Sequence, residues 1–489
     1  MEKMNYVLAM DQGTTSCRSI IFDENGSPIC VFQKKIQQFF PKPGFIEQDP
    51  LEIINTQVTT AQEAIKVVGL NKVKAIGIAN QRETTILWNK KTGKPLMNAI
   101  VWQDRRTHSI CKSLKSHESL IHEKTGLLLD PYFSATKIKW ILDNYKIENI
   151  QDIAFGTIDS WLVWNLTGNH LTDVSNASRT LLFNIHTLSW DEELCQLFNI
   201  PKEILPKVVD STAFFGNTKE GFFTPSLPIQ AVIGDQQGAL IGQGCLEKGT
   251  SKCTYGTGCF FLMNTGNKPF ISQTKLLTTI AWKHKEDVFY AIEATVFNAG
   301  SVIEWLKNNL EILKETKAID EIAGEVTDTH GVTFVPAFTG LTAPYWEPNV
   351  EGLICNITRG VTKFHICRAA LEAIAMQVND VLQCVDDDTK IKNEELKVDG
   401  GLCSSDLLMQ LQSDFSHVKI VRNSSRELTA LGAATLAFVG IGVLKNITAF
   451  VKTNKIFIPQ MAEEKRKAKI QSWQEAVNLA RTKAKNEPK

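Results

Sequence analysis

Apolar residues along the chain follow two rhythms. Tyr6–Met10 (YVLAM), Arg18–Phe22, Lys74–Ala79 (KAIGIA) and Ala231–Ile233 are short, nearly unbroken apolar runs. Such runs predict strands buried on both faces. Pro50–Val68, Ala135–Tyr145 and Ser301–Leu313 instead repeat apolar residues at helical spacing. Strands alternating with helices predict an α/β protein. Glu24-Asn25-Gly26 predicts a hairpin turn after the second strand. Ser251–Met263 reads as strand, Gly256-Thr257-Gly258 turn, strand, which echoes the layout of the chain's opening. Glu395–Val398, Gly400-Gly401 and Ser404–Phe415 read as strand, turn and helix. A composition shift near Gly244–Gly249 divides the chain into two expected lobes, residues 1–246 and 247–489. The tail after Pro459 has a charged helical pattern, with fraying expected at its end.

The longest apolar stretch, Leu428–Leu444, falls short of the roughly 20 residues of a spanning helix and contains threonines and glycines. It predicts a helix buried between layers, and no membrane span is expected. Basic and acidic residues balance at 53 each. No basic excess is present to release phosphate counterions, which argues against nucleic acid as a partner. Eleven cysteines are scattered singly, without a CxxC pair. That pattern suits reduced thiols in a cytoplasmic protein better than disulfides or zinc. The opening MEKMNYVLAMDQG lacks the apolar run of a leader.

Candidate chemistry clusters where strands end. Asp11 and Asp235 each close an apolar run, and strand ends are where α/β proteins place their sites. One carboxylate can organise Mg²⁺ while the other takes a proton from an attacking hydroxyl. There is no GxxxxGK[ST] loop and no GxGxxG after a strand. Gly13-Thr14-Thr15-Ser16, Gly256-Thr257-Gly258 and Gly400-Gly401 remain as turns able to bring backbone N–H groups to phosphates. Arg82-Glu83 follows a buried run, and a guanidinium fork beside a carboxylate can bind the hydroxyls of a small polyol.

The stretches DQGTTSCR, PKPGFIEQDP, NQRETTILW, NAIVWQDRRT, PYFSATKIKW, NASRTLLFNIHTLSWD, GDQQGAL, TYGTGCFFLMNTG, PAFTGLTAPYW and VDGG occur in this order. Together they resemble the glycerol kinase branch of the FGGY carbohydrate kinase family along nearly the whole chain. The resemblance implies a two-lobed, actin-like, ribonuclease H-like ATPase fold with a deep interlobe cleft. It implies ATP and Mg²⁺, glycerol as phosphoryl acceptor, and a homodimer or homotetramer. Arg82, Glu83, Tyr132, Asp235 and Gln236 are then expected to hydrogen-bond glycerol, with Trp102 and Phe260 against its carbon chain. Asp235 becomes the general base, and Asp11 with Asp235 the metal side. Thr14, Thr15, Ser16, Arg18 and Thr257 are expected at the phosphates; Gly300, Glu304, Gly401 and Ser405 are expected around the nucleotide.

Three positions depart from the family pattern. Ser405 replaces an asparagine, Glu304 a glutamine or arginine, and Asn356 a glycine. All three fall on the nucleotide side, so ATP affinity is expected to be weakened while the glycerol side stays intact. Asn217–Ser226 lacks the arginine-bearing loop for fructose 1,6-bisphosphate, and Ala213–Gly216 lacks a phosphorylatable histidine. Control by either route is not expected. Two alternatives stay open on sequence: a kinase of another short polyol, and a weak or inactive member that binds nucleotide or partners without turnover.

Overall fold

The computed structural model describes residues 5–425 and 427–486. The expected fraying concerns 487–489, which lie outside the described residues.

Two sheets dominate. The first runs Gly216–Asn217, Pro228–Gly234, Val73–Asn80, Tyr6–Gln12, Ser16–Asp23, Pro28–Lys35 from edge to edge. The second runs Leu277–His284, Asp287–Val296, Cys259–Gly266, Ser251–Tyr255, Glu395–Asp399, Lys419–Asn423, Thr453–Phe457. In each, the strand that comes first in the chain lies inside the sheet. An antiparallel hairpin partner flanks it on one side, and two later parallel strands lie on the other. The echoed layout of the sequence is therefore a duplicated topology. The central strands are sandwiched between helices, which is why Tyr6–Met10 and Ala75–Asn80 are buried at every position.

Local sequence explains the elements that frame the site. Asp49 caps helix Pro50–Val68: its carboxylate accepts from the Leu51 N–H at 2.8 Å, and Pro50 fills the first turn, where its missing N–H costs nothing. The helix buries Ile53, Ile54, Ala61 and Ile65. Its Gln57 amide reaches back to the Arg18 carbonyl at 2.7 Å, locking the strand that carries Arg18. Helix Leu428–Gly440 is apolar all round and buried, as its stretch predicts, although it ends before Leu444. It belongs to the second half of the chain yet packs on the first sheet. Side chains Ala433, Ala434 and Ala437 share a core with Val7, Ala9, Ala75 and Ala231.

One expected helix is shorter than predicted. Ser301–Leu313 is helical only within Gly300–Asn308. Asn309 closes it, and Glu311 takes a left-handed φ of 55°, which turns the chain away. Ser404–Phe415 is likewise split into a 3₁₀ turn, Gly401–Ser404, and helix Asp406–Ser416. Asn356 has φ 62°, the left-handed conformation that a glycine would adopt and that asparagine tolerates.

Candidate active site

Strand register assembles the site. Gln12, Asn80 and Gly234 stand in one row across three parallel strands. Asp11, Arg82, Glu83 and Asp235 lie beside or just beyond that row, so they gather at the carboxyl end of the first sheet. A buried polar lattice holds the row. Asn80 and Asn176 exchange side-chain amide bonds at 2.9 and 3.1 Å. The Gly234 N–H donates to Ser175 Oγ at 2.9 Å, and that hydroxyl donates to Asp173 at 2.9 Å. Asp235 opens helix Asp235–Gly242, and its Oδ1 accepts from the Gln236 N–H at 2.7 Å. Arg82 Nε lies 3.2 Å from the same oxygen.

Burial pushes the Asp235 carboxyl above the usual carboxylate range, opposed by the Arg82 guanidinium. Burial also pushes Asp11 up to about 7; Arg18 opposes the rise and the charge of Asp235 adds to it. A proton acceptor poised nearer neutrality is what hydroxyl activation needs.

These groups face a cavity of about 90 Å³ lined by Thr14, Arg82, Glu83, Trp102, Tyr132, Asp235, Gln236 and Phe260. All seven residues expected around a polyol meet there, together with Thr14. The volume admits a molecule of a few heavy atoms and excludes a nucleotide. Trp102 stands edge-on to Tyr132 at 5.4 Å and to Phe260 at 6.2 Å, so one wall is apolar and the opposite one charged. The Trp102 indole N–H donates to Thr14 Oγ1 at 3.0 Å, tying that wall to the turn Gly13-Thr14-Thr15-Ser16. Glu83 has φ 62°, a strained conformation for a glutamate that recurs at binding sites.

The residues expected at the phosphates divide between the two sheets. In the first turn Thr15 is exposed, Ser16 Oγ accepts from Gln33 at 2.8 Å, and Arg18 pairs with Glu427 at 3.1 Å. In the second, the exposed Thr257 sits on a turn bonded to the start of helix Gly300–Asn308. The N–H groups of Ala299, Gly300 and Ser301 all donate to carbonyls of Gly256 or Thr257. Gly300 presses on this turn: a Cβ there would lie 2.6 Å from the Gly256 carbonyl oxygen. Gly401 is exposed with open space around it. Glu304 is exposed and bonds Asn308 at 3.0 Å. The Ser405 hydroxyl is already committed, accepting from the Leu408 N–H at 3.0 Å and donating to Asp320.

Four buried ions behind the cavity were not singled out from sequence. Glu293 takes both Nη groups of Arg82, at 2.6 and 3.0 Å, so the guanidinium fork points to a glutamate of the second sheet. Arg179 bridges Glu83 at 2.6 Å and Glu293 at 3.0 Å. Lys137 donates to the carbonyls of Pro131, Tyr132 and Phe133, which fixes the Tyr132 loop. Lys252 binds the Gln236 side chain from the second sheet. Two signals were readable: a lone acid inside the apolar strand YAIEATV, and a lone lysine inside SKCTY.

Among the described residues no cluster of three or more His, Cys, Asp or Glu could hold a metal ion unaided. Asp11 and Asp235, close enough to feel each other's charge, are a two-carboxylate set. That set suits Mg²⁺, which keeps several waters and completes its shell with substrate phosphates. No helix among the described residues is long and apolar enough to cross a membrane.

A glycine- and threonine-bearing turn on each sheet, with a small cavity closed by a strand-end carboxylate, suits phosphoryl transfer to a small molecule. The model of the FGGY family of carbohydrate kinases matches the chain in two parts, its N-terminal domain over residues 6–242 and its C-terminal domain over 251–441, and the chain belongs to that family. The fold is the two-lobed actin-like, ribonuclease H-like one. Within the family the chain is similar to glycerol kinases. It is 48% identical to glycerol kinase 2 of Thermotoga maritima, over 97% of this chain and 98% of the relative. It is 48% identical to glycerol kinase of Deinococcus radiodurans, over 98% of each. The crystal structure of Plasmodium falciparum glycerol kinase with ADP superposes with a TM-score of 0.91 at 37% identity, covering 98% of each chain. Gluconate kinase from Lactobacillus acidophilus, 23% identical with a TM-score of 0.89, shares the fold.

Proposed function

We propose that this protein transfers the γ-phosphoryl group of ATP to glycerol, giving glycerol 3-phosphate and ADP. The observation that carries the reading is the small cavity in which a strand-end carboxylate with a raised proton affinity meets an arginine, a glutamate and an aromatic wall. Asp235 accepts the proton of the attacking hydroxyl as its oxygen bonds to phosphorus. Arg82, Glu83, Tyr132 and Gln236 orient the hydroxyls, and Trp102 and Phe260 cover the carbon chain and keep water out. A well-placed base contributes roughly 10²–10⁴-fold; the remainder comes from positioning and charge stabilisation. Thr14, Thr15, Ser16, Arg18 and Thr257 hold the phosphates, while Gly300, Gly401, Glu304 and Ser405 border the nucleotide. Asp11 and Asp235 would hold Mg²⁺, which supplies charge neutralisation at the phosphates.

Residues 1–246 and 247–489 act as the two lobes, and the working form is a cytoplasmic homodimer or homotetramer. With Ser405 occupied by its helix cap and Glu304 adding a negative charge, the KM for ATP lies above that of glycerol kinases carrying asparagine, and glutamine or arginine, there. Purified protein with Mg·ATP and a panel of glycerol, short polyols and pentuloses tests the function. Product with glycerol and negligible turnover of the others supports it; preference for another acceptor overturns it.

A further inference from the structure

Arg82 lies against the base, and its position is not set by the cavity. Its two Nη groups close bidentately on Glu293, and its Nε is left 3.2 Å from Asp235. Glu293 and Arg179 have no exposed surface, and Glu293 stands on strand Asp287–Val296 of the second sheet. Arg179 shares Glu293 Oε1 at 3.0 Å and passes the alternation on to Glu83 at 2.6 Å. The result is a chain of alternating charge: Asp235, Arg82, Glu293, Arg179, Glu83. Buried ion networks of this kind seldom add net stability over well-packed apolar side chains, because desolvation offsets the attraction. Stability therefore does not account for Arg82, Glu293, Arg179 and Glu83, four buried ions at and behind a small cavity.

We propose that Glu293 is a positioning residue for the phosphoryl acceptor. It holds the Arg82 fork away from Asp235, so that the base keeps its oxygens for the substrate hydroxyl, and through Arg179 it holds Glu83 at the other side of the cavity. An arginine with both Nη groups free beside a carboxylate 3.2 Å away closes on it as a bidentate pair, the geometry guanidinium prefers. Here the competing carboxylate prevents that closure. Burial pushes the Glu293 carboxyl up, but Arg179 and Arg82 together outweigh it and hold it below the usual carboxylate range, which favours the ionised anchor. Since Glu293 comes from the second half of the chain and Arg82, Glu83, Arg179 and Asp235 from the first, the acceptor site is complete only when the two sheets are docked.

This inference rests on the glycerol kinase reading, and the wild-type assay separates the two: no glycerol 3-phosphate from wild type defeats the reading itself. With wild type active, Glu293→Gln and the shorter, still charged Glu293→Asp are compared by KM and kcat for glycerol and for ATP, after thermal unfolding confirms a folded state. The expected result is a fall in kcat/KM for glycerol on the order of 10–100-fold, as for an active-site group displaced by about 1 Å, with KM for ATP within about twofold of wild type. Combining Glu293→Gln with Arg82→Gln should add little to the loss caused by Arg82→Gln alone, because Glu293 acts through Arg82. Should Glu293→Gln not fold, Glu293→Asp decides, with Glu293→Asp/Arg82→Gln completing the cycle. Unchanged kcat/KM for glycerol in a folded variant, equal damage to both KM values, or fully multiplicative losses in the double variant would each overturn the proposal.

Discussion

The position of Asp235 depends on a helix crossing that leaves no room for a methyl group. Helix Asp235–Gly242 and helix Leu428–Gly440 touch through glycine. A Cβ at Gly432 would lie 2.0 Å from the Gly238 carbonyl oxygen and 2.7 Å from its carbon. Ordinary contact begins at 3.4 Å, so Gly432→Ala must open the crossing by about 1.4 Å, the difference between 3.4 and 2.0 Å. Neither side can yield by rotating a side chain, because the opposing atoms are backbone. Gly77 wedges the far side of the same helix, where a Cβ would sit 2.4 Å from the Ala433 carbonyl oxygen. The strain therefore falls on helix Asp235–Gly242, whose first residue is the proposed base. Overpacking of this kind costs about 1–3 kcal/mol, and a catalytic group shifted by about 1 Å can lose 10²-fold in rate. Thermal unfolding and steady-state kinetics on Gly432→Ala should show a lower Tm and a kcat/KM for glycerol reduced about 10–100-fold. Gly324→Ala, at a helix end where a Cβ meets nothing within 4 Å, should leave both unchanged. A Gly432→Ala variant with wild-type Tm and wild-type kcat/KM would refute the reasoning.

Trp102→Phe removes the indole bond to Thr14 and part of the cavity wall, so KM for glycerol should rise several-fold, equivalent to about 1 kcal/mol, while KM for ATP stays constant. An equal rise in both would show that Trp102 acts on overall packing instead. Asp380 gives a pH test of stability. Burial raises its carboxyl to about 6, although Trp473 and Tyr345 both donate to it. The native state thus holds a proton that the unfolded chain has already lost between about pH 4 and pH 6, and above that range the buried charge costs about 3 kcal/mol. Asp380→Asn keeps an oxygen for both donors and carries no charge. It should exceed wild type in Tm at about pH 8, with the gap shrinking towards about pH 5. A gap that widens on acidification contradicts the assignment.

What sequence could show depended on how local the cause was. Tyr6–Gln12 and Val73–Asn80 were legible because they are apolar on both faces, and Pro50–Val68 because its apolar residues repeat at helical spacing. The duplicated layout was visible as two strand–turn–strand openings, but the parallel pairings that complete each sheet were not. The end of helix Gly300–Asn308 was missed because apolar spacing continues past it; the left-handed backbone at Glu311 that turns the chain is a tertiary outcome. The cavity residues were recognisable through family motifs, whereas the ions behind them were not. Arg82 meets Glu293 across 211 residues of chain, and Glu83 meets Arg179 across 96. Nothing in YAIEATV names a partner; the isolated glutamate only signals that one must exist. The packing of helix Leu428–Gly440 back onto the first sheet was likewise hidden, since its glycines and alanines acquire meaning only opposite Gly77 and Gly238.

The central claim is that Asp235 takes a proton from glycerol within a kinase. Wild type and Asp235→Asn should be assayed side by side with Mg·ATP and glycerol, following glycerol 3-phosphate and ADP together and measuring ATP binding independently. The account predicts stoichiometric product and ADP from wild type, and a variant that binds ATP normally yet turns over about 10²–10⁴-fold more slowly. Wild-type turnover retained by a folded Asp235→Asn, or ATP binding by wild type with no glycerol 3-phosphate formed, would contradict it.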